Sequence, residues 1–329
     1  MTKNISYFQV FLILSSLCFS SLCIADGNDK RGLDWNGYPS PKLNKITLGN
    51  YRAVIIGNNH YQDEDGIWKN LETAVKDAEM VAELLQNEYG FKDIVLLKDA
   101  KRRTILGELK NLSKRAEPND NILIYYAGHG HLEDDARRGY WIPTDAQGFD
   151  DLTFIRNSTI RDEINIIADK TKHTLLLSDS CFSGALLRGG NRGPSNHELS
   201  QGYYIKVSNK KSVQVFTAGG NEFVDDNYRN SGHSPFTYFL LSELKHNTQQ
   251  YVSLSEVATN IIKAVANNVD QTPETGVLAG AGDELGEFIF ARSSFIKNET
   301  EVVREDKSQQ DISAISKKET TTFLPGFRF

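Results

Sequence analysis

The chain has 329 residues, with 37 Lys and Arg against 43 Asp and Glu, for a formal charge of −6. No block of five or more like charges occurs, so neither a grip on nucleic acid nor an electrostatic hold on anionic lipid is expected. This length suits one large or two ordinary domains with a substantial core.

Residues 1–25 read as a secretory signal peptide. Lys3 precedes the apolar run "YFQVFLILSSLCFSSLCIA", and Cys23 and Ala25 are small residues at the −3 and −1 positions of a cut. An uncleaved anchor is the competing reading, since the run approaches the ~20 residues that span a bilayer. The Ser and Gln content and the polar "DGNDKRG" that follows favour cleavage. An exported protein, periplasmic or secreted, is therefore expected, with no membrane attachment after signal cleavage. Cys18 and Cys23 leave with the signal, so the mature chain keeps Cys181 alone, either an apolar filler or a working thiol.

Residues 26–50 form an irregular lead-in. Strand and helix patterns then alternate. "RAVIIG" (52–57) reads as a strand, and 71–90 as a helix with an apolar stripe at Leu71, Ala74, Ala78, Val81 and Leu85. "DIVLLKD" (93–99) is a strand and 104–116 a helix. "NILIYYAG" (121–128) and "HTLLLSD" (173–179) are strands on either side of a helix near 160–169. "VQVFTAGG" (213–220) is the next strand, followed by helices near 234–246 and 253–268 and a last strand, "GEFIFAR" (286–292). Near-continuous apolar strands between amphipathic helices predict an α/β fold, a three-layer α/β/α sandwich around a mostly parallel six-stranded sheet, over residues 51–292. The Ser-, Thr-, Glu- and Lys-rich residues 293–329 are expected to be a disordered tail.

In such sheets ligands sit beyond the carboxyl ends of the strands. His129 lies just past "ILIYYAG" and Cys181 just past "HTLLLSD", so both glycine-rich turns point to one edge. A thiol with a pKa near ~8.5 needs a base or cation beside it to act as a nucleophile. His129 can supply that and later protonate a leaving amine. The backbone N–H groups of Gly130 and Cys181 are the candidate oxyanion donors. Gly184 would let the chain bend away sharply.

"YYAGHG" and "LLLSDSCFSG", with His129 preceding Cys181 by 52 residues, resemble the histidine and cysteine motifs of the caspase-like cysteine peptidases (peptidase C14), most of all the metacaspases and their bacterial relatives. "RAVIIGNNHY" resembles the family's first strand, "ETAVKDAEMV" its first helix and "VFTAGG…GHSPFTYFLLSEL" its small-subunit half. The resemblance implies a large-subunit-like part over 51–190, a small-subunit-like part over 212–292, and endopeptidase activity with Cys181 as nucleophile and His129 as base and acid.

Asp179 stands two residues before Cys181, on the same face if the strand continues. A carboxylate there would raise the thiol pKa, so it suits a cationic substrate side chain better than activation of the thiol. Asp77 matches the other acidic residue of the first specificity pocket in metacaspases, and two carboxylates suit Arg or Lys. Cleavage of protein or peptide substrates after Arg or Lys is expected. Ala127 stands where many metacaspases carry a pocket serine, and Ala74 where some carry a cysteine. Without the resemblance, Asp77 reads as a solvated helix residue and Asp179 as a turn cap. His60 and His131 are expected to be loop or surface residues, with His173 and Asp145 structural.

Calcium-dependent relatives carry an aspartate cluster. This chain has Arg188 in part of that region, and only Asp162 and Glu163 resemble the rest, so no cofactor is expected and a calcium requirement is not carried over. No metal site has ligand spacing. Family members often cut themselves between their halves. Here 186–211 contains Arg188, Arg192, Lys206, Lys210 and Lys211 as exposed candidate sites, with Lys30 and Arg31 further upstream. The main rival reading is an inactive caspase-fold binding or scaffold protein. A glutamine amidotransferase is disfavoured, because its histidine follows its cysteine and "DSCFSG" lacks the leading glycine.

Overall fold

A computed structural model of the chain describes residues 46, 48–133, 138–181, 186–188, 200–219, 225–278, 280 and 282–295. The signal segment 1–25, nearly all of the lead-in, Gly184, residues 189–199 and the tail beyond 295 lie outside the described residues.

In chain order the elements are β1 (Tyr51–Gly57), α1 (Ala74–Glu88), β2 (Asp93–Lys98), α2 (Arg102–Arg115), β3 (Asn121–Ala127), β4 (Gly130–Glu133), β5 (Arg138–Trp141), β6 (Ile155–Arg156), α3 (Asn157–Ala168) and β7 (His173–Asp179). They continue with β8 (Leu187–Arg188), α4 (Gln201–Ser208), β9 (Ser212–Thr217), α5 (Pro235–His246), β10 (Tyr251–Ser253), α6 (Leu254–Ala266), β11 (Glu274–Leu278) and β12 (Ile289–Ala291).

The central sheet runs β2-β1-β3-β7-β9-β11, with the two-residue β8 added at the β11 edge. The first five strands are parallel, and β11 is antiparallel to β9. β3 and β7 are buried along their whole length because helices cover both faces, which is why they read as unbroken apolar runs. The period of two then divides their side chains between two cores. Ala53, Leu123, Tyr125, Leu175 and Phe216 face α1, α5 and α6, while Val54, Ile122, Ile124, Leu176 and Val215 face α2 and α3.

Helix ends follow local chemistry. Ser234 Oγ accepts the Thr237 N–H at the start of α5, with Pro235 at the first position. Ser253 and Glu256 form a reciprocal capping box on α6. Asp145 Oδ1 accepts the Arg102 N–H at the start of α2, the structural role expected of it.

Three sequence expectations need correction. The segment 286–292 contains a strand, β12, but it pairs with β10 in a separate two-stranded ribbon. The sixth strand of the central sheet is instead β11, whose "ETGVL" contains a glycine and a charge and so carries little apolar signal. Within 186–211, residues 201–208 are helix α4, held by Tyr204 and Val207 against Ile46 and Ile289. Lys206 is thus exposed but helical, and Arg188 lies in a strand paired with β11.

Candidate active site

The parallel register sets Gly57, Ala127 and Asp179 side by side at the carboxyl ends of β1, β3 and β7. The Gly128 N–H still reaches the Asp179 carbonyl at 3.3 Å. At these strand ends lies a cavity of about 280 Å3. Its lining brings together His129, Gly130, Cys181, Asp77, Asp179 and Ala127, the residues expected for the dyad, the oxyanion hole and the first specificity pocket. Cys181 is half-buried.

Both glycines around His129 are required by space. A β-carbon at position 130 would overlap the carbonyl oxygen of Cys181, so the histidine turn can lie directly on the cysteine backbone only with glycine there. At position 128 it would lie 2.8 and 2.9 Å from the Tyr126 and Tyr61 hydroxyls. Gly130 opens β4 opposite Trp141 of β5, and the Ile142 N–H donates to the His129 carbonyl across them at 3.0 Å. That makes the pair the non-hydrogen-bonded kind, so the Gly130 N–H is directed away from β5.

His129 is fixed on three sides. Its backbone N–H donates to Tyr61 Oη at 2.8 Å, and Tyr126 Oη lies 2.8 Å from its carbonyl. Nε2 is 2.7 Å from the Lys69 carbonyl oxygen. A carbonyl only accepts, so the neutral ring carries its proton on Nε2 and keeps the Nδ1 lone pair as its basic site. Burial lowers the imidazole pKa, and the Lys69 carbonyl and the Asp226 charge offset part of that fall. The Tyr61 and Trp68 rings lie 4.8 and 5.7 Å away.

β7 ends at Asp179, so strict alternation does not extend to Cys181. The Asp179 carboxylate is anchored on α5. Oδ2 accepts from Ser234 Oγ at 2.5 Å and Thr237 Oγ1 at 2.7 Å, while the buried Oδ1 has no hydrogen-bond partner among the described residues. Burial, reinforced by the nearby Asp77 charge, raises its pKa to about 7. Asp77 is fully buried in the first turn of α1, not a solvated helix residue. His233 Nδ1 lies 2.5 Å from Oδ1 and the Ser234 N–H donates to Oδ2 at 3.1 Å. Burial raises its pKa, against the lowering effect of His233. The two carboxylates are therefore unequal: Asp77 is already paired, and Asp179 Oδ1 is the open acceptor.

Several site residues escaped sequence reasoning. Lys69 acts through its backbone carbonyl, which has no side-chain signature. Asp225 and Asp226 line the cavity, and Asp226 accepts from the Glu72 and Thr73 N–H groups at 2.5 and 3.2 Å. Two adjacent aspartates beyond the end of "VQVFTAGG" could have been found by the same edge argument. Leu71 precedes α1 and lines the cavity instead of extending the helical stripe. His131 packs among the rings of Trp68, Tyr140, Phe149 and Phe154. His60 Nδ1 pairs with Asp99 at 2.8 Å on an exposed loop. Among the described residues no group of three or more His, Cys, Asp or Glu could hold a metal ion, and no helix is long and apolar enough to cross a membrane. Asp162 and Glu163 face Arg161 and Lys110 across 3.7 and 4.0 Å.

Residues 50–278 match the family model described as the caspase domain, Peptidase_C14. The chain is similar to Metacaspase-1 of Saccharomyces cerevisiae, at 29% identity over 170 residues, 46% of this chain and 37% of that protein. It is also similar to Metacaspase-1B of Aspergillus fumigatus, at 27% over 173 residues, 46% of this chain and 40% of that protein. The match spans well under half the length of these curated relatives. A solved structure of a Geobacter sulfurreducens protein aligns with a TM-score of 0.49 and 19% identity, covering 73% of this chain and 100% of that one.

Proposed function

Because the chain belongs to the caspase-domain family, we propose that it is a cysteine endopeptidase that cleaves after Arg or Lys, with Cys181 and His129 as its dyad. The observation that carries the specificity is the orphaned Asp179 Oδ1 in a buried carboxylate lining the same cavity as both residues. A buried acceptor without a partner is costly, and an entering guanidinium or ammonium group would satisfy it and its charge together.

In the proposed reaction Cys181 gives its proton to His129 Nδ1, and Sγ bonds to the scissile carbonyl carbon. The oxyanion is met by the Gly130 and Cys181 N–H groups. The C–N bond then breaks as His129 returns the proton to the leaving amine. Water, losing a proton to His129, cleaves the thioester and releases the acid. An inactive scaffold is disfavoured, because a decayed site has no reason to keep an orphaned buried carboxylate beside a histidine held in a basic tautomer.

Fluorogenic peptides ending in Arg, Lys or Asp test the reading, with and without calcium. Hydrolysis after Arg and Lys is expected, abolished by Cys181→Ala. Hydrolysis after Asp alone would refute the pocket argument, and none at all would favour the scaffold. Export by the segment 1–25 and self-cleavage between 186 and 211 belong to the same proposal. Intact masses after incubation should show fragments for wild type and none for Cys181→Ala, and identical unfragmented masses would remove self-cleavage.

A further inference from the structure

Beside the histidine lies an apolar surface that the chemistry above does not use. Ile67 and Trp68 line the cavity, and the Phe149 ring lies 6.4 Å from that of Trp68. Phe149 is 70% exposed and Leu152, three residues on, 77%, the two most exposed large apolar side chains among the described residues. Exposed apolar groups gathered at the rim of a cavity mark a binding surface.

The surface is built, not incidental. Asp63 accepts the N–H groups of Ile67 at 2.6 Å, Trp68 at 2.9 Å and Gly148 at 2.8 Å through one carboxylate, tying the two loops together. Burial would raise the Asp63 pKa, but these backbone donors outweigh it and the net shift is downward, so the staple stays charged. Trp68 Nε1 donates to the Gly148 carbonyl at 2.8 Å, and the Trp68 ring meets Phe154 edge-on at 5.5 Å. Ile67 and Phe149 are thus held toward solvent by loops that are themselves clamped.

We infer that Ile67, Trp68 and Phe149 form a shelf that binds an apolar side chain of the substrate immediately after the cleaved bond. The inference rests on the peptidase reading and deepens it. The Asp179 carboxylate, anchored on α5 through Oδ2, lines the cavity and on the proposed reading takes the residue before the cut through Oδ1. The amine leaving the other side takes its proton from His129, so the chain after the cut passes the flank of His129. Trp68 lies beside His129 and lines the same cavity, its ring 5.7 Å from the imidazole, and it is the neighbour of His129 that continues into exposed apolar surface.

Two internally quenched peptides, identical except for Leu or Gly directly after an Arg, test it. Wild type should favour the Leu peptide in kcat/KM by about tenfold, the discrimination an apolar subsite gives. The double substitution Phe149→Ser and Ile67→Ser should bring the ratio to within about twofold. Because both peptides are read on the same preparation, partial loss of folded protein cancels. Equal rates on wild type, or an unchanged ratio in the double variant, would overturn the shelf. If wild type cleaves neither peptide, the peptidase reading fails separately. The binding ratio of the two peptides to Cys181→Ala, read by tryptophan fluorescence, then judges the shelf by itself: a tighter Leu peptide supports it and equal affinities overturn it.

Discussion

At the amino ends of the central strands, Asp120 is fully buried and both of its oxygens are taken: Oδ2 by Arg52 Nε at 2.7 Å and the Glu117 N–H at 2.9 Å, Oδ1 by Asn50 at 3.3 Å. Arg52 also reaches Asp93 at 2.7 Å, and its pKa is raised, first through that hydrogen bond. His173 nearby is held neutral by burial, its pKa pushed down to about 4, with Ser212 and the Ser208 carbonyl on its two nitrogens. At the carboxyl ends of the same strands, Asp179 is just as buried but keeps one oxygen without a partner. Burial alone does not separate a structural carboxylate from a working one. On the proposed reading, the unmade hydrogen bond inside the cavity does.

The sharpest way to break this contrast is Asp179→Asn. If the orphan oxygen receives the substrate cation, kcat/KM for Arg peptides should fall roughly 100- to 1,000-fold, the cost of deleting one member of a buried charge pair. An unchanged value would make Asp179 another Asp120. At the other end, Asp120→Ala should cost roughly 2–3 kcal/mol of stability, discounted because Arg52 is partly exposed and retains Asp93. Its specific activity per folded molecule should not change, as denaturant melts combined with active-site titration would show.

The smallest effect is a pH dependence. The folded Asp179 holds its proton to higher pH than the unfolded chain, up to about 7. Its contribution is therefore favourable at low pH and is lost as pH rises from the ordinary carboxylate range through about 7. Asp179→Asn removes that loss, so its melting temperature relative to wild type should climb by a few degrees between pH 5 and 8. A flat difference would show that the carboxylate is already ionised when folded.

The fold was legible wherever burial on both faces forces long apolar runs. β1, β3, β7 and β9 and their flanking helices follow from pattern alone. The reading failed at the last sheet position, where the strand with the apolar signal, β12, pairs outside the main sheet and the weakly patterned β11 completes it. Strand pairing is a contact between distant segments, and a short run of side chains does not encode its partner. The same holds for α4, whose small apolar face gains its meaning from Ile46 and Ile289.

From its sequence alone the protein declared a histidine and a cysteine at one sheet edge, the glycine needed beside the histidine, and Asp179 two residues before the cysteine. Those are side-chain identities at fixed distances from strand ends, and local rules suffice to place them. Asp77, in a helix, is singled out only by the family resemblance. Only the tertiary structure decided which Asp179 oxygen stays open, that Asp77 is spent on His233 and Ser234, and that a lysine carbonyl sets the tautomer of His129. Each depends on groups brought together from segments 55 to 157 residues apart, some of them backbone atoms that every residue carries.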